Sequence, residues 1–514
     1  MPPAMINPSE FAHLIAVRAS RLLQIAAGLA ARSAPLPPPV LTRPLVGDLL
    51  SQAVQMEELL DAYGARNNRQ WSRFRSLTAT IKLFANVGYK LLHIQHALPG
   101  YQLPPVERDF AAATAQWIAF VRDLLVRAAD GLLGQAARLN LSGLIDASGG
   151  LDYAEPLPPG RLGQDRPMRQ VKSAVDIIAY LATAYLNLAA ESELLHLVER
   201  VKPAQYSSCF PNPLSEDNLR YLEFRFHCLQ SLYDTHVLET EIEFLDTGLP
   251  ILRGHISVVY HLLEIATDLA HYYERHLNLQ TGDASSRRQP VISAKILLTM
   301  LMDYAIAYAG QYLDHGQHFC HAMLKRYAEV GYVDVPVPSY RGFHVRPATL
   351  IAKIVRHYGS EIKMELDNQT YDAGLPMDIF RANEKINAWK RRWLVAEIER
   401  IAPPEGDFDE SQTRAAVLHV VLKLAQEDKL IIYQQPLQWA TEFSHEGILL
   451  AKVTAEIARL QATGQIDIRA DLTIRFVGDR RVLDDLELLA RSGYGEDHFG
   501  NNTALPRELA YLRR

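Results

Sequence analysis

Within GFHVRPAT (342–349) lie the residues of this 514-residue chain whose types and spacing point most directly to chemistry: His344, Arg346 and Pro347. An imidazole nitrogen is nucleophilic near neutral pH and can accept a phosphoryl group. Arg346 brings a planar donor fork that fits phosphate oxygens. Pro347 suits the first turn of a helix, where its missing N–H has no intrahelical partner to lose. An apolar face follows at once, because Leu350, Ile351, Ile354, Val355 and Tyr358 recur at three- and four-residue steps. The spacing predicts a helix with His344 at its mouth. There the dipole and the N–H groups near Ala348 and Thr349 favour a negative group. That arrangement suits a phosphohistidine.

The flanking segments frame this helix. Val333, Val335 and Val337 alternate as a strand, with Pro336 tolerable only at a sheet edge. SEIKMEL (360–366) sets Ile362, Met364 and Leu366 against Glu361, Lys363 and Glu365, a half-buried strand. Asp367 and Asn368 turn the chain into a short strand at 369–372, and LPMDIF (375–380) reads as a short helix. Residues 383–465 read as mostly helical. A last strand is predicted at DLTIRFVGD (471–479). The helix RRVLDDLELLARSG (480–493) then puts Val482, Leu483, Leu486 and Leu489 on one face. KLIIYQQP (429–436) competes as the last strand, but its flanking helix is poorer.

The octapeptide resembles the active-site segment of HPr, the histidine phosphocarrier of the bacterial phosphotransferase system, whose signature is G-(L/F)-H-x-R-P-A. The order strand, His-bearing helix, strand, strand, short helix over about 332–382 is similar to that family as well. The resemblance implies an α+β domain over 331–496, a βαββαβα open-faced sandwich. Its core is about 332–382 plus 468–493, it is split by a helical insertion at about 383–467, and a tail at 497–514 follows it. It implies His344 as acceptor from an Enzyme I-type donor, with Arg346 steadying the phosphoryl oxygens and Pro347, Ala348 and Thr349 at the helix start. A docking face for phosphoryl donors and acceptors falls on Leu375, Met377, Ile379 and Phe380, residues that equally fit packing against the insertion. The family's regulatory serine falls near Leu375 and the lysine before it at Gly374, so control by serine phosphorylation is not implied there.

Residues 1–330 read as helix after helix: about 8–32, 44–64, 69–96, 104–138, 170–200, 215–246, 253–278 and 290–329. The breakers between them are APLPPP (34–39), LPGYQLPP (98–105), GLPILRG (248–254) and a long stretch from 140 to 167. A large all-α region is expected, as bundles over 1–150 and 151–330 or as one domain across both. In HLLEIATDLAHYYERH (261–276), His261, Glu264, Asp268 and His271 share one helix face. His236, Glu239, Glu243 and Asp246 recur similarly on the helix before, and Asp314, His315, His318 and His321 on the one after. Such faces build di-metal centres in bundles, and they also describe a solvated surface; the paired Glu-x-x-His motifs of ferritin-like proteins are absent.

Composition bounds the rest. Hydrophobic residues make up 48% and charged residues 22%, ordinary for a globular protein, and the net charge of −6 offers no basic field for nucleic acid or anionic lipid. Three cysteines, Cys209, Cys228 and Cys320, form no metal or disulfide pattern. No stretch reads as a membrane span, no cofactor motif is found, and a bacterial cytoplasm is the expected setting. The helix NEKINAWKRRW puts Lys390, Arg391 and Arg392 between Trp389 and Trp393, which reads as a solvated face or a base- or phosphate-binding patch. Three functions stay open: a phosphocarrier or phospho-regulator, a docking scaffold with no phosphate turnover, and a helical metal or cofactor protein with an HPr-like attachment. The oligomeric state is left open.

Overall fold

The computed structural model describes residues 6–31, 40–141, 153, 173–277, 291–401, 409–439 and 448–513. The chain divides into two compact units, Met1–Cys320 and His321–Arg514. Among its described residues the first unit contains helices and no strand: α1 (Pro8–Ala31), α2 (Arg43–Ala62), α3 (Ser72–Tyr101), α4 (Phe110–Arg138), α5 (Ala174–Ala190), α6 (Leu197–Arg200), α7 (Glu216–His236), α8 (Gly248–Tyr272), α9 (Ala294–Thr299) and most of α10 (Ala307–Tyr327). Short polar side chains fix several of the starts. Thr42, Asp109, Ser173, Ser215 and Ser293 accept first-turn N–H bonds at α2, α4, α5, α7 and α9. α3 packs on α2, α4 and α8, and α8 is buried around most of its circumference, as a central bundle helix must be. No single helix among the described residues is long and apolar enough to cross a membrane.

Several helix limits differ from the expected ones. GLPILRG opens α8 instead of breaking the chain, because the Asp246 carboxylate accepts the Gly248 N–H at 2.6 Å. α3 runs through Pro99 to Tyr101, taking up part of the expected breaker LPGYQLPP. The helices expected over 170–200 and 215–246 end at Ala190 and His236. Most of the long 140–167 connector lies outside the described residues.

The second unit runs β1 (Val330–Pro336), α11 (Val345–Tyr358), β2 (Ile362–Leu366), β3 (Gln369–Asp372), α12 (Pro376–Ile401), α13 (Glu410–Gln426), β4 (Leu430–Ile432), α14 (Leu449–Ala462), β5 (Ile466–Ile468), β6 (Thr473–Asp479) and α15 (Arg480–Arg491). Four strands form an antiparallel sheet in the order β1-β6-β2-β3. The edge position of β1 accommodates Pro336. Strand alternation sends Val335, Ile362, Met364, Ile474 and Phe476 into a core shared with Ile351, Ile354, Val482 and Leu486 of α11 and α15. The opposite face is polar; there Asp334 and Arg475, directly paired across β1 and β6, form a two-pronged ion pair at 2.9 Å. The competing strand at 429–436 joins no part of this sheet, since β4 pairs with β5 as a separate ribbon.

Two features depart from the sequence reading. The helix expected to stop at Phe380 continues unbroken to Ile401. Its first half gives Ile379, Ala382 and Ile386 to the sheet core, and its second half gives Leu394 and Ile398 to a separate core with α13, α14 and the ribbon. The insertion is thus α+β, not purely helical, and one helix roots it in the sheet domain. The tail also folds back: Leu509 and Leu512 enter the sheet core, and the Tyr511 hydroxyl donates to Asp485 at 2.6 Å.

Candidate functional site

The segment leading into α11 is held in an unusual backbone shape. Arg341 and Gly342 are both left-handed, with φ of 54° and 62°. A Cβ at Gly342 would collide with the Asn383 amide oxygen, so the position needs glycine twice over. Asn383, buried on α12, clamps the turn: its Oδ1 accepts the Phe343 N–H at 2.9 Å and its Nδ2 donates to the Arg341 carbonyl at 3.2 Å. The Arg341 N–H donates to Asp467 of β5 at 3.0 Å, and Asp467 lies 3.5 Å from Lys390 in the interior. The insertion therefore buttresses the loop that presents His344. Lys390 is buried for that role, which corrects its reading as part of an exposed basic face.

His344 is the residue capping the start of α11, and Tyr340 packs edge-on against its ring at 5.3 Å. Nδ1 lies 3.2 Å from the Gly342 carbonyl, which already accepts the His344 backbone N–H at 2.8 Å. Nε2 lies 3.3 Å from Oε2 of Glu496, whose side chain is only 3% exposed. Neither Glu496 carboxylate oxygen has a hydrogen-bond donor. Nη1 of Arg346 donates to the Asn502 side-chain oxygen, while its Nε is buried without an acceptor. The result is a partly exposed imidazole 3.3 Å from a buried carboxylate, two residues before an arginine held by Asn502. It is suited to taking an anionic group while holding the ring in one orientation.

Pro347 and Ala348 are buried in the first turn, and the Thr349 hydroxyl donates to the Val345 carbonyl at 2.6 Å. The Ala348 N–H already donates to the His344 carbonyl at 3.1 Å. With His344 as the cap, the amides free of intrahelical bonds are those of Val345 and Arg346, three residues before the expected pair. Of the expected docking face, Leu375 and Met377 are exposed at 48% and 64%, whereas Ile379 is fully buried and Phe380 packs against the core.

The candidate metal face is occupied by a lysine. His261 Nδ1 is 2.7 Å from Glu264, but Lys90 of α3 reaches in to 2.8 Å from Asp268 and 3.6 Å from Glu264. Asn86 also donates to Asp268 at 2.9 Å. An ammonium sits where a cation would, and His271 turns away to Glu216 at 2.9 Å. Burial raises the Asp268 pKa, the nearby Lys90 countering it only in part. Among the described residues, the group with ligand atoms close enough for a metal is instead His196, Glu199 and Asp314, within 4.8 Å of one another; Glu199 is exposed.

Comparison with protein-family models, with curated proteins and with solved structures returned no match. Asn383, Glu496 and Asn502 were not singled out by sequence. Gly493-Tyr494-Gly495 marks a turn before Glu496, but nothing in the pattern says that the turn delivers a carboxylate to His344.

Proposed function

We propose that the second unit is an HPr-like phosphocarrier or phospho-regulatory domain of a phosphotransferase system, taking a phosphoryl group on His344 from an Enzyme I-type donor. The observation that carries this reading is His344 at the cap of α11 with Arg346 beside it, in an antiparallel βαββαβα frame whose first strand is at the edge. The unprotonated ring nitrogen of His344 attacks phosphorus with its lone pair. The donor's N–P bond breaks, its electron pair returning to the donor imidazole. The positive charge of the phosphorylated ring passes with the phosphoryl group to His344, so protons and charge balance.

Arg346 and the free amides of Val345 and Arg346 meet the phosphoryl oxygens. Val345, Leu375 and Met377 are exposed apolar residues, and they offer the donor and the acceptor protein a docking face. A phosphoryl group adds about −1.5 to −2 charges, enough to change which partner docks. A cytoplasmic setting goes with this reading.

The test is incubation with phosphoenolpyruvate and a purified Enzyme I, read by intact mass. One acid-labile phosphoryl group on the wild type, and none on His344→Ala, is the expected result. An unmodified wild type, with the host's own Enzyme I paralogues tried too, would remove the carrier reading and leave the domain a docking role.

A further inference from the structure

We propose that Glu496 is a positioning residue for His344: its buried carboxylate, 3.3 Å from Nε2, offsets the positive charge that the ring gains on phosphorylation. The proposal rests on the phosphocarrier reading. It assigns a role to the segment after α15, a stretch in which the sequence showed no chemistry.

The segment is built to deliver this carboxylate. Gly493, Tyr494 and Gly495 are all left-handed, with φ of 72°, 59° and 73°, and turn the chain sharply out of α15. Tyr494 is buried, and its hydroxyl donates to the Pro336 carbonyl at 2.6 Å, fixing the turn to the sheet edge. A closed hairpin follows. Glu496 and Asn502 are antiparallel partners, the Asp497 N–H donates to the Asn501 carbonyl at 2.9 Å, and the Thr503 N–H to the Gly495 carbonyl at 3.0 Å. Inside it the Asp497 carboxylate accepts the N–H groups of Phe499 and Asn501, each at 2.9 Å. Gly500 lies against the Tyr340 ring so closely that a Cβ there would overlap it, and Tyr340 in turn packs on His344.

One cross-strand pair therefore serves both reactive residues of the motif. Glu496 faces the His344 ring, and Asn502 accepts from Arg346. A carboxylate buried without a hydrogen-bond donor is costly unless something offsets it. The His344 ring nitrogen is the group that meets it here. After transfer the cationic phospho-imidazole ring is left beside this buried anion.

The test uses the full chain with phosphoenolpyruvate and Enzyme I, following the initial rate at which His344 is modified. Glu496→Gln preserves a hydrogen-bond acceptor of the same size and removes the charge; Glu496→Ala removes both. Both variants should be slowed by roughly 10- to 100-fold, the range in which a positioned charged group acts on such a step. Glu496→Asp, which keeps the charge, should recover part of the rate that Glu496→Gln loses. Modification of Glu496→Gln at the wild-type rate would overturn the role of Glu496 while leaving the carrier reading intact. A wild type that takes no phosphoryl group would defeat the carrier reading itself, and this proposal with it.

Discussion

Two histidine–carboxylate arrangements in this chain use the same residue types to opposite ends. In the helical unit His261 and Glu264 belong to a closed network, where Lys90 and Asn86 answer the buried charge of Asp268. In the βα unit His344 faces a Glu496 carboxylate with no hydrogen-bond donor, next to an Arg346 whose Nε lacks an acceptor. In the closed network Lys90 already stands where a cation would. The open one has a partly exposed ring beside a carboxylate without a donor. Residue type and spacing nominated both places, and hydrogen-bond satisfaction separates them.

The comparison breaks most sharply at the ring itself: His344→Ala should abolish phosphoryl acceptance, whereas His261→Ala should leave it at the wild-type level, both read by intact mass. Next comes the closed network. Lys90→Met should cost about 3 kcal/mol, the low end for breaking a buried pair, because Asp268, 22% exposed, then keeps only its Asn86 bond. Denaturant unfolding followed by circular dichroism measures this, and a change under 1 kcal/mol would mean the network is wetter than the structure shows.

The loop before His344 gives a smaller effect. Asn383→Ala leaves the Phe343 N–H and the Arg341 carbonyl without their partner, for roughly 1–3 kcal/mol, and should also slow modification of His344. Wild-type stability and rate together would show that the clamp is dispensable.

The smallest effect is a pH dependence in the helical unit. Burial pushes His255 from 6.5 down to about 4, with the Tyr312 carbonyl countering only part of that. Below pH 6.5 the unfolded chain takes up a proton that the folded chain refuses. Stability is therefore full above that pH and falls as pH drops toward 4, by about 1–2 kcal/mol at pH 5. His255→Gln should flatten the calorimetric melting temperature across that window.

What was legible in the sequence follows physical range. Alternation in 330–337, 360–366 and 471–479 marked the strands, and i, i+3, i+4 spacing marked α11 and α15, because these patterns are set by nearest neighbours. The length of α12 was not legible: nothing in its second half breaks a helix, and the family resemblance suggested an early stop that the residues themselves do not encode. β4 lies within the alternative strand at 429–436, but its partner β5 was missed because a three-residue strand carries almost no periodic signal. The hairpin bearing Glu496 and Asn502 reads as a turn, but its contact with Arg346 spans 156 positions, and no local pattern reports a pairing over that distance.

The chain has 18 histidines, and the claim that matters most is that one of them is set apart. Peptide mapping at neutral pH, after incubation with phosphoenolpyruvate and Enzyme I, measures this directly. Phosphate confined to the peptide carrying His344 is the predicted result. Phosphate on another histidine, with the His344 peptide unmodified, would contradict it.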